Sequence, residues 1–531
     1  MLNTNIHPRE IYQRSEEFGL NNSAKMLTEI IDSDADVTRR QEAIKYLGLI
    51  GNDSEVIKNS CFSIFENLLI SDDDVQIRCE AAKALGRIKH EKGLKPLNWI
   101  LEQNEVDNQI RLAVLKAIRK IRFQDSEIRL FINELDSNFH SIMDFITIQL
   151  LSLDPDILIE KLLESLKNRK ISNNHKTELI KLIGYELSSI NISIEELSYI
   201  KVKYPEILSS LIHNKDLLLE NITLVFREEN IELLNSIITI LQLLGGEIEK
   251  DLIKLLLSDD FIVRKNAITL TGKLKLRNAV DLLITNLDNI YSEVSIASIE
   301  ALGEIGDLSA IPELLDILDI EDISFEYTDL DMKLYILDAI IKIYNYNKEA
   351  SYEDLYSSLK KENNMIRESV AFILGEIGKE EFVEPLIELL NVNNLDVKKN
   401  TVIALGKVGQ LESLHDLIKI LEDVNSYWLI KKVAVDAMYN IFQKNWYRAR
   451  LKEEFKRLLN KELALLIDYL ATNSDENFKV KLSLIKLLET YGDERALNAL
   501  LKRVNDFHRV VRIRASNAIK KIEERFELEE S

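Results

Sequence analysis

Catalysis and metal binding need particular side chains at particular spacings, and here the candidates are few. The chain has seven histidines (His7, His90, His140, His175, His213, His415 and His508) and two cysteines, Cys61 and Cys79. No histidine has a second histidine or a cysteine three or four residues away, the spacing that puts two donors on one helical face. His90 and Glu91 are adjacent, but one such pair cannot build a metal site. No glycine-rich phosphate loop, GxSxG elbow, HExxH or CxxC occurs. The cysteines stand 18 apart within apolar helical patterns, so buried inert thiols and a cytoplasmic, reducing location are expected. The 89 Asp and Glu residues single out no acid–base pair, since most carboxylates on such a chain solvate its surface. No catalytic residue, metal or cofactor is expected.

Charge is the remaining resource. The net charge of −21 divides into −26 over residues 1–430 and +5 over 431–531, and residues 301–390 alone carry −14. The net charge argues against general nucleic-acid affinity, because gripping phosphates needs clustered positive charge. The basic end is where an anion would bind. The stretch 427–459 combines Lys431, Lys432, Lys444, Arg448, Arg450, Lys452, Lys456 and Arg457 with Trp428, Trp446 and Tyr447, and a further basic run spans 502–521. Basic residues interleaved with aromatics suit an acidic protein segment, a phosphorylated peptide, RNA or anionic lipid. Trp446, Tyr447, Arg448, Arg450, Lys452, Arg512 and Arg514 are the candidate contacts. The alternative is a solvated helix pair with buried aromatics and a capping end, and the sequence leaves both readings open. A complementary acidic stretch, 314–333, contains Asp316, Asp319, Glu321, Asp322, Glu326, Asp329 and Asp331. It is either a protruding contact for a basic partner or a solvated loop, and opposite charges on one molecule permit head-to-tail self-association.

The elements that must carry these residues are helices. Only 16 glycines and 6 prolines occur in 531 residues, far too few for a sandwich, a propeller or a large α/β enzyme. No apolar run reaches membrane-spanning length, and the opening MLNTNIHPRE lacks a basic segment followed by an apolar one, so no secretory leader is expected. The sequence repeats itself. DDDVQIRCEAAKALGRI (72–88) aligns with ADVTRRQEAIKYLGLIG (35–51), DDFIVRKNAITLTGKL (259–274), NNMIRESVAFILGEIG (363–378) and NLDVKKNTVIALGKVG (394–409). One column holds Arg40, Arg78, Arg111, Arg264, Arg367 and Lys398, and a second, eight residues on, holds Gly48, Gly86, Gly272, Gly303, Gly375 and Gly406. A second glycine often follows three later, and 13 of the 16 glycines belong to these two positions. Most steps are 31 to 38 residues, enough for two amphipathic helices, and Pro96, Pro312 and Pro385 mark the first turn of the first helix. The step from 439 to 489 is 50 residues, so an extra helix or loop is expected there. The basic column reads either as a phosphate-gripping ladder or as a register device. Its fixed place beside Asp36, Asp74, Asp260 and Asp396 points to the second, each cation pairing with a cap Asp or with a carbonyl of a neighbouring unit.

The pattern V-R-x-x-A-x-x-A-L-G-x-I-G followed by A-I-P-x-L resembles HEAT repeats, in particular the phycobilisome-lyase-type HEAT-like variety, with ALGEIGDLSAIPELLDIL (301–318) nearly a consensus copy. The resemblance implies an all-α fold, an α-solenoid of about 14–16 helix pairs with the second helices on the concave side. It divides the chain into an N-terminal cap (1–22), HEAT-like repeats (23–122), degenerate helical repeats (123–250), HEAT-like repeats (251–440), basic C-terminal repeats with an insertion (441–522) and an acidic tail (523–531). Among families with such repeats, an iron hydroxylase uses several His–Glu pairs, of which this chain has one, and bilin lyases share the repeat without a lyase residue that could be carried over. The expected function is a non-catalytic scaffold or adaptor binding proteins through the solenoid surface. The alternatives are a lyase-like or enzyme-accessory role and a binder of nucleic acid or anionic membrane through the basic end.

Overall fold

The second helix of each repeat begins on a side-chain cap. Asp74 accepts from the backbone N–H groups of Gln76 and Ile77 and opens the helix Val75–Ile88. Asp260, Asn363 and Asn394 do the same for Phe261–Lys273, Asn364–Ile377 and Leu395–Val408. Without a cap the first turn leaves N–H groups unpartnered, at a cost of about 1 kcal/mol. The far end closes on a left-handed residue, Gly378 at φ 71° and Gly409 at φ 79°. Here a side chain would be strained, yet Lys89 adopts φ 48° after Ile88.

The computed structural model describes residues 6–52, 55–103, 105–189, 204–226, 230–319 and 329–530. Among them are 31 α-helices and no strand. They form two units, Met1–Leu252 and Ile253–Ser531. In the first, Pro8–Gln13 and Ser15–Phe18 cover Leu20–Ser33 and Val37–Asn52, and further pairs follow through Asn108–Ile121. The degenerate region keeps the helical pattern, and Asn173–Ser189 packs along Ile231–Leu244. In the second unit, the second helices Phe261–Lys273, Ser292–Ile305, Asp329–Tyr346, Asn364–Ile377, Leu395–Val408, Trp428–Leu451, Phe478–Tyr491 and Arg509–Glu530 stack in sequence, an α-solenoid layer backed by first helices that are shorter except for Glu453–Thr472.

The glycine column explains how closely that layer packs. A Cβ built on Gly272 would stand 2.7 Å from Ala301 Cα, and the same distance is 2.9 Å for Gly303 against Ala339, 2.7 Å for Gly375 against Ala404 and 2.8 Å for Gly406 against Ala437. Gly86 meets Ala117 at 2.9 Å in the first unit. Each glycine therefore receives an alanine of the next second helix, and a methyl group would push the two backbones apart.

The basic column has the structural role, by a different route from the expected one. The cap aspartates are occupied by their own helices, and the five arginines of the column reach carbonyls at the end of the first helix in the same repeat, not in a neighbour. Arg40 Nε donates to Ile31 O at 3.0 Å, Arg78 to Leu69 O at 2.9 Å, Arg264 to Ser258 O at 2.7 Å and Arg367 to Leu359 O at 3.2 Å. Arg111 donates to Gln103 O at 3.1 Å and Arg40 also holds Asp72 at 2.5 Å. A cation at a helix C-terminus satisfies orphan carbonyls and opposes the helix dipole.

Two further expectations are corrected. The 50-residue step holds no extra helix or loop. It lengthens one pair, Trp428–Leu451 to 24 residues and Glu453–Thr472 to 20, because no glycine or proline interrupts 428–472. The acidic end 523–530 is not a separate tail, since the helix Arg509–Glu530 runs through it.

Candidate functional site

The exposed ridge of the second helices carries its own charge pattern. Nine residues after the basic column stand Lys273, Glu304, Lys342, Glu376 and Lys407, alternating in sign from repeat to repeat. Lys273 and Lys342 approach Glu304 at 3.9 and 3.4 Å, and Lys407 pairs with Glu376. Beside them Lys333 approaches Glu368 at 3.6 Å, and Asn400 donates to Glu368 at 2.8 Å. This stretch of the ridge neutralises itself. The alternation stops at the next two positions, which are Asn440 and Thr490.

Where it stops, cations gather. A groove of about 540 Å³ crosses the helices Trp428–Leu451, Phe478–Tyr491 and Arg509–Glu530, lined by Lys432, Asp436, Tyr439, Asn440, Lys479, Leu482, Ser483, Lys486, Val510 and Arg514. Lys432 bonds Asp436 at 2.5 Å, and Arg514 stands 4.0 Å from Glu489. Lys479 and Lys486 are exposed and make no ion pair with a described residue. Aromatic rings hold them instead. Lys479 Nζ lies 4.6 Å from the Trp428 ring centre and Lys486 Nζ 4.5 Å from that of Tyr439. Such contacts order a lysine while leaving its N–H groups free to donate. Val510 is 58% exposed and gives the groove an apolar margin.

Buried ion pairs brace the helices beneath. Lys481, 3% exposed, bonds Asp506 at 2.8 Å and Ser474 O at 2.6 Å, and Arg503 approaches the same carboxylate at 3.6 Å. Burial alone would raise the Asp506 carboxyl. The hydrogen bond and charge of Lys481, the His508 N–H and the Arg503 charge outweigh it and hold the group below the usual carboxylate range. Lys431 Nζ lies 3.3 Å from both Glu476 and the Tyr469 hydroxyl. Glu489 occupies the glycine position of its repeat and ties Lys521 at 2.5 Å, so a salt bridge replaces the glycine–alanine contact in the last step.

The structure scatters the residues chosen from sequence. Arg514 lies in the groove. Arg512 donates to Asp506 O at 2.8 Å and Phe507 O at 3.0 Å, which makes it the basic-column residue of the last repeat, engaged internally. Trp446 is half-buried, its ring 5.0 Å from that of Tyr491, while Tyr447 is 71% exposed. Lys452 begins the helix Glu453–Thr472, its Nζ 5.6 Å from the Phe455 ring centre. Arg448 and Arg450 fall on the long helix, with side chains outside the described residues. Lys479 and Lys486 were missed, and the interrupted alternation after Lys407 was the signal that could have found them. The acidic connection falls largely outside the described residues, in 320–328, and at its edge Lys361 engages Asp316 at 3.3 Å and Asp319 at 2.8 Å.

Reactive chemistry is subdued in the described residues. Both cysteines are buried and unbridged, and burial pushes the Cys61 thiol up to about 12 and the Cys79 thiol up to about 11. No group of three His, Cys, Asp or Glu side chains in the described residues is placed to hold a metal, and no described helix is long and apolar enough to cross a membrane.

Residues 249–324 and 352–438 match the family model for HEAT repeats, so these segments carry HEAT repeats, and the match does not single out the lyase-type variety. No curated protein matches the sequence. Among solved structures, Kap121p bound to Ste12p is 13% identical with a TM-score of 0.44, covering 94% of this chain and 56% of that one. Importin beta is 12% identical with a TM-score of 0.40 over 98% of this chain and 78% of that one. The Kap95:Nup1 complex is 13% identical with a TM-score of 0.45 over 97% and 67%. The chain thus spans little more than half the length of Kap121p.

Proposed function

We propose that the chain is a non-catalytic HEAT-repeat adaptor that binds a protein partner on the exposed ridge of its second helices, with the groove around Lys479, Lys486 and Arg514 as the contact. One observation carries the reading. Beyond the stretch 273–407 that neutralises itself between repeats, two lysines are held on aromatic rings without an ion pair to a described residue, as Lys45 and Lys116 are singly in the first unit, but here they stand together beside an arginine only loosely matched. Holding unpaired cations in fixed positions favours selective contact with an anion over mere solvation. Repeat stacking supplies a long surface for such contact without a catalytic constellation. Tyr447 and Lys452, with Arg448 and Arg450 between them, are proposed as a second contact on the long helix pair. Two buried unbridged thiols fit a cytoplasmic location.

Site-specific photocrosslinking in the native host tests this. A benzophenone side chain at position 483 in the groove is expected to trap a protein, and one at position 498, on an exposed face of the first helix Glu494–Arg503, is not. Equal adducts at both positions, or nucleic acid trapped at 483, would overturn the proposal.

A further inference from the structure

We infer that the groove receives an extended acidic segment of the partner protein, with carboxylates at every third residue. This rests on the adaptor reading above and adds the conformation and charge spacing of what binds.

Lys479 and Lys486 lie on the same face of one helix, seven residues apart. At 1.5 Å per residue their attachment points are separated by about 10.5 Å. A segment in the polyproline II conformation returns to the same side every third residue, after about 9.3 Å. The two lysines reach carboxylates at that repeat with a small adjustment of their flexible stems. A β-strand presents one face at intervals of roughly 6.7 or 13.4 Å, and neither matches. An α-helix with carboxylates seven residues apart meets the same spacing of about 10.5 Å, and tighter binding of a helical peptide so spaced than of the extended one would overturn the inference.

The remaining lining fits the same occupant. Tyr439, Leu482 and Val510 offer aromatic and aliphatic surface between the cations. Polyproline II segments dock on such surface through the residues between their charged positions, and being preformed they lose little entropy. Arg514 supplies a planar donor for a carboxylate on the neighbouring helix. Asp436 beside Lys432 repels carboxylate, so the acidic register is set on the Lys479 side. The groove is open across three helices, which lets a chain enter and leave.

The test uses the full chain and a fluorescein-labelled peptide of four Glu-Pro-Pro triplets, read by fluorescence anisotropy at about 50 mM salt, where charge contacts are weakly screened. Binding is expected, weakened about tenfold or more by the double substitution Lys479→Glu and Lys486→Glu. Both lysines are exposed, and an unchanged circular dichroism melt will show that the double variant is folded. A permuted peptide with the four glutamates contiguous is expected to bind more weakly. No binding, equal binding by the double variant, or equal binding of the permuted peptide overturns the inference. So does tighter binding of an oligouridine or of phosphatidylserine vesicles. If the peptide fails while the double substitution abolishes the protein crosslink at position 483, the adaptor reading stands and only the acidic extended occupant falls.

Discussion

Replacing Gly375 by alanine probes the stacking of the repeats. The new methyl would sit 2.7 Å from Ala404 Cα and 2.8 Å from Ala404 Cβ, inside the separation that carbon atoms tolerate. Both opposing atoms belong to a helix backbone or are fixed to it, so relief requires the helices Asn364–Ile377 and Leu395–Val408 to part. Overpacking of this kind costs about 1–3 kcal/mol. The clash is with backbone, so the upper part of that range, about 1.5–3 kcal/mol, applies, and subtracting the roughly 1 kcal/mol by which alanine is the better helix former leaves a net loss of about 0.5–2 kcal/mol. A repeat array does not unfold as one two-state block, so the readout is hydrogen exchange by mass spectrometry. Peptides from 364–377 and 395–408 should exchange about 2- to 30-fold faster at neutral pH. Gly246, with nothing within 4 Å of a built Cβ, is the control, and its alanine variant should leave protection unchanged. Unchanged or increased protection in Gly375→Ala would refute the argument that close approach explains the glycine column.

Acid should loosen the end of the second unit. The folded Asp506 carboxyl is held below its ordinary value, so its contribution is complete above the unfolded value of about 4 and is lost as pH falls through the folded one. Asp506→Asn should flatten that loss and, by leaving Lys481 buried without its partner, cost about 3–5 kcal/mol at neutral pH. An identical acid transition in the variant would contradict this. The two thiols, pushed to about 12 and about 11, should react with a disulfide reagent at neutral pH only after denaturant is added. Prompt modification of the native chain would show that Cys61 and Cys79 are not sealed.

The sequence makes the repeat unit legible because two physical demands recur in it. In most repeats a glycine meets an alanine and a cation closes the first helix, so Gly272, Gly375, Arg78 and Arg264 stand out by position alone. What the cation touches was not legible. The cap aspartates lie nearer in sequence than the carbonyls do, and only the fold shows that their oxygens are already taken by the helix they start. The long step was misread for a related reason. Length reveals extra residues, but only the unbroken helical run from 428 to 472 says that they extend two helices. The binding residues were the least legible. Arg512 and Arg514 are two apart in sequence and point to opposite duties, one to internal carbonyls and the other to the groove. Lys479 and Lys486 belong with Arg514 only once three separate helices lie side by side.

Lys479 and Lys486, which make no ion pair with a described residue, are proposed to select a protein partner. The most direct measurement is the yield of protein crosslinked at position 483, compared between the unaltered chain and the chain carrying Lys479→Glu with Lys486→Glu. A discrete protein adduct that disappears on charge reversal, with both chains equally abundant, is the expected result. An adduct of undiminished yield in the charge-reversed chain would contradict it.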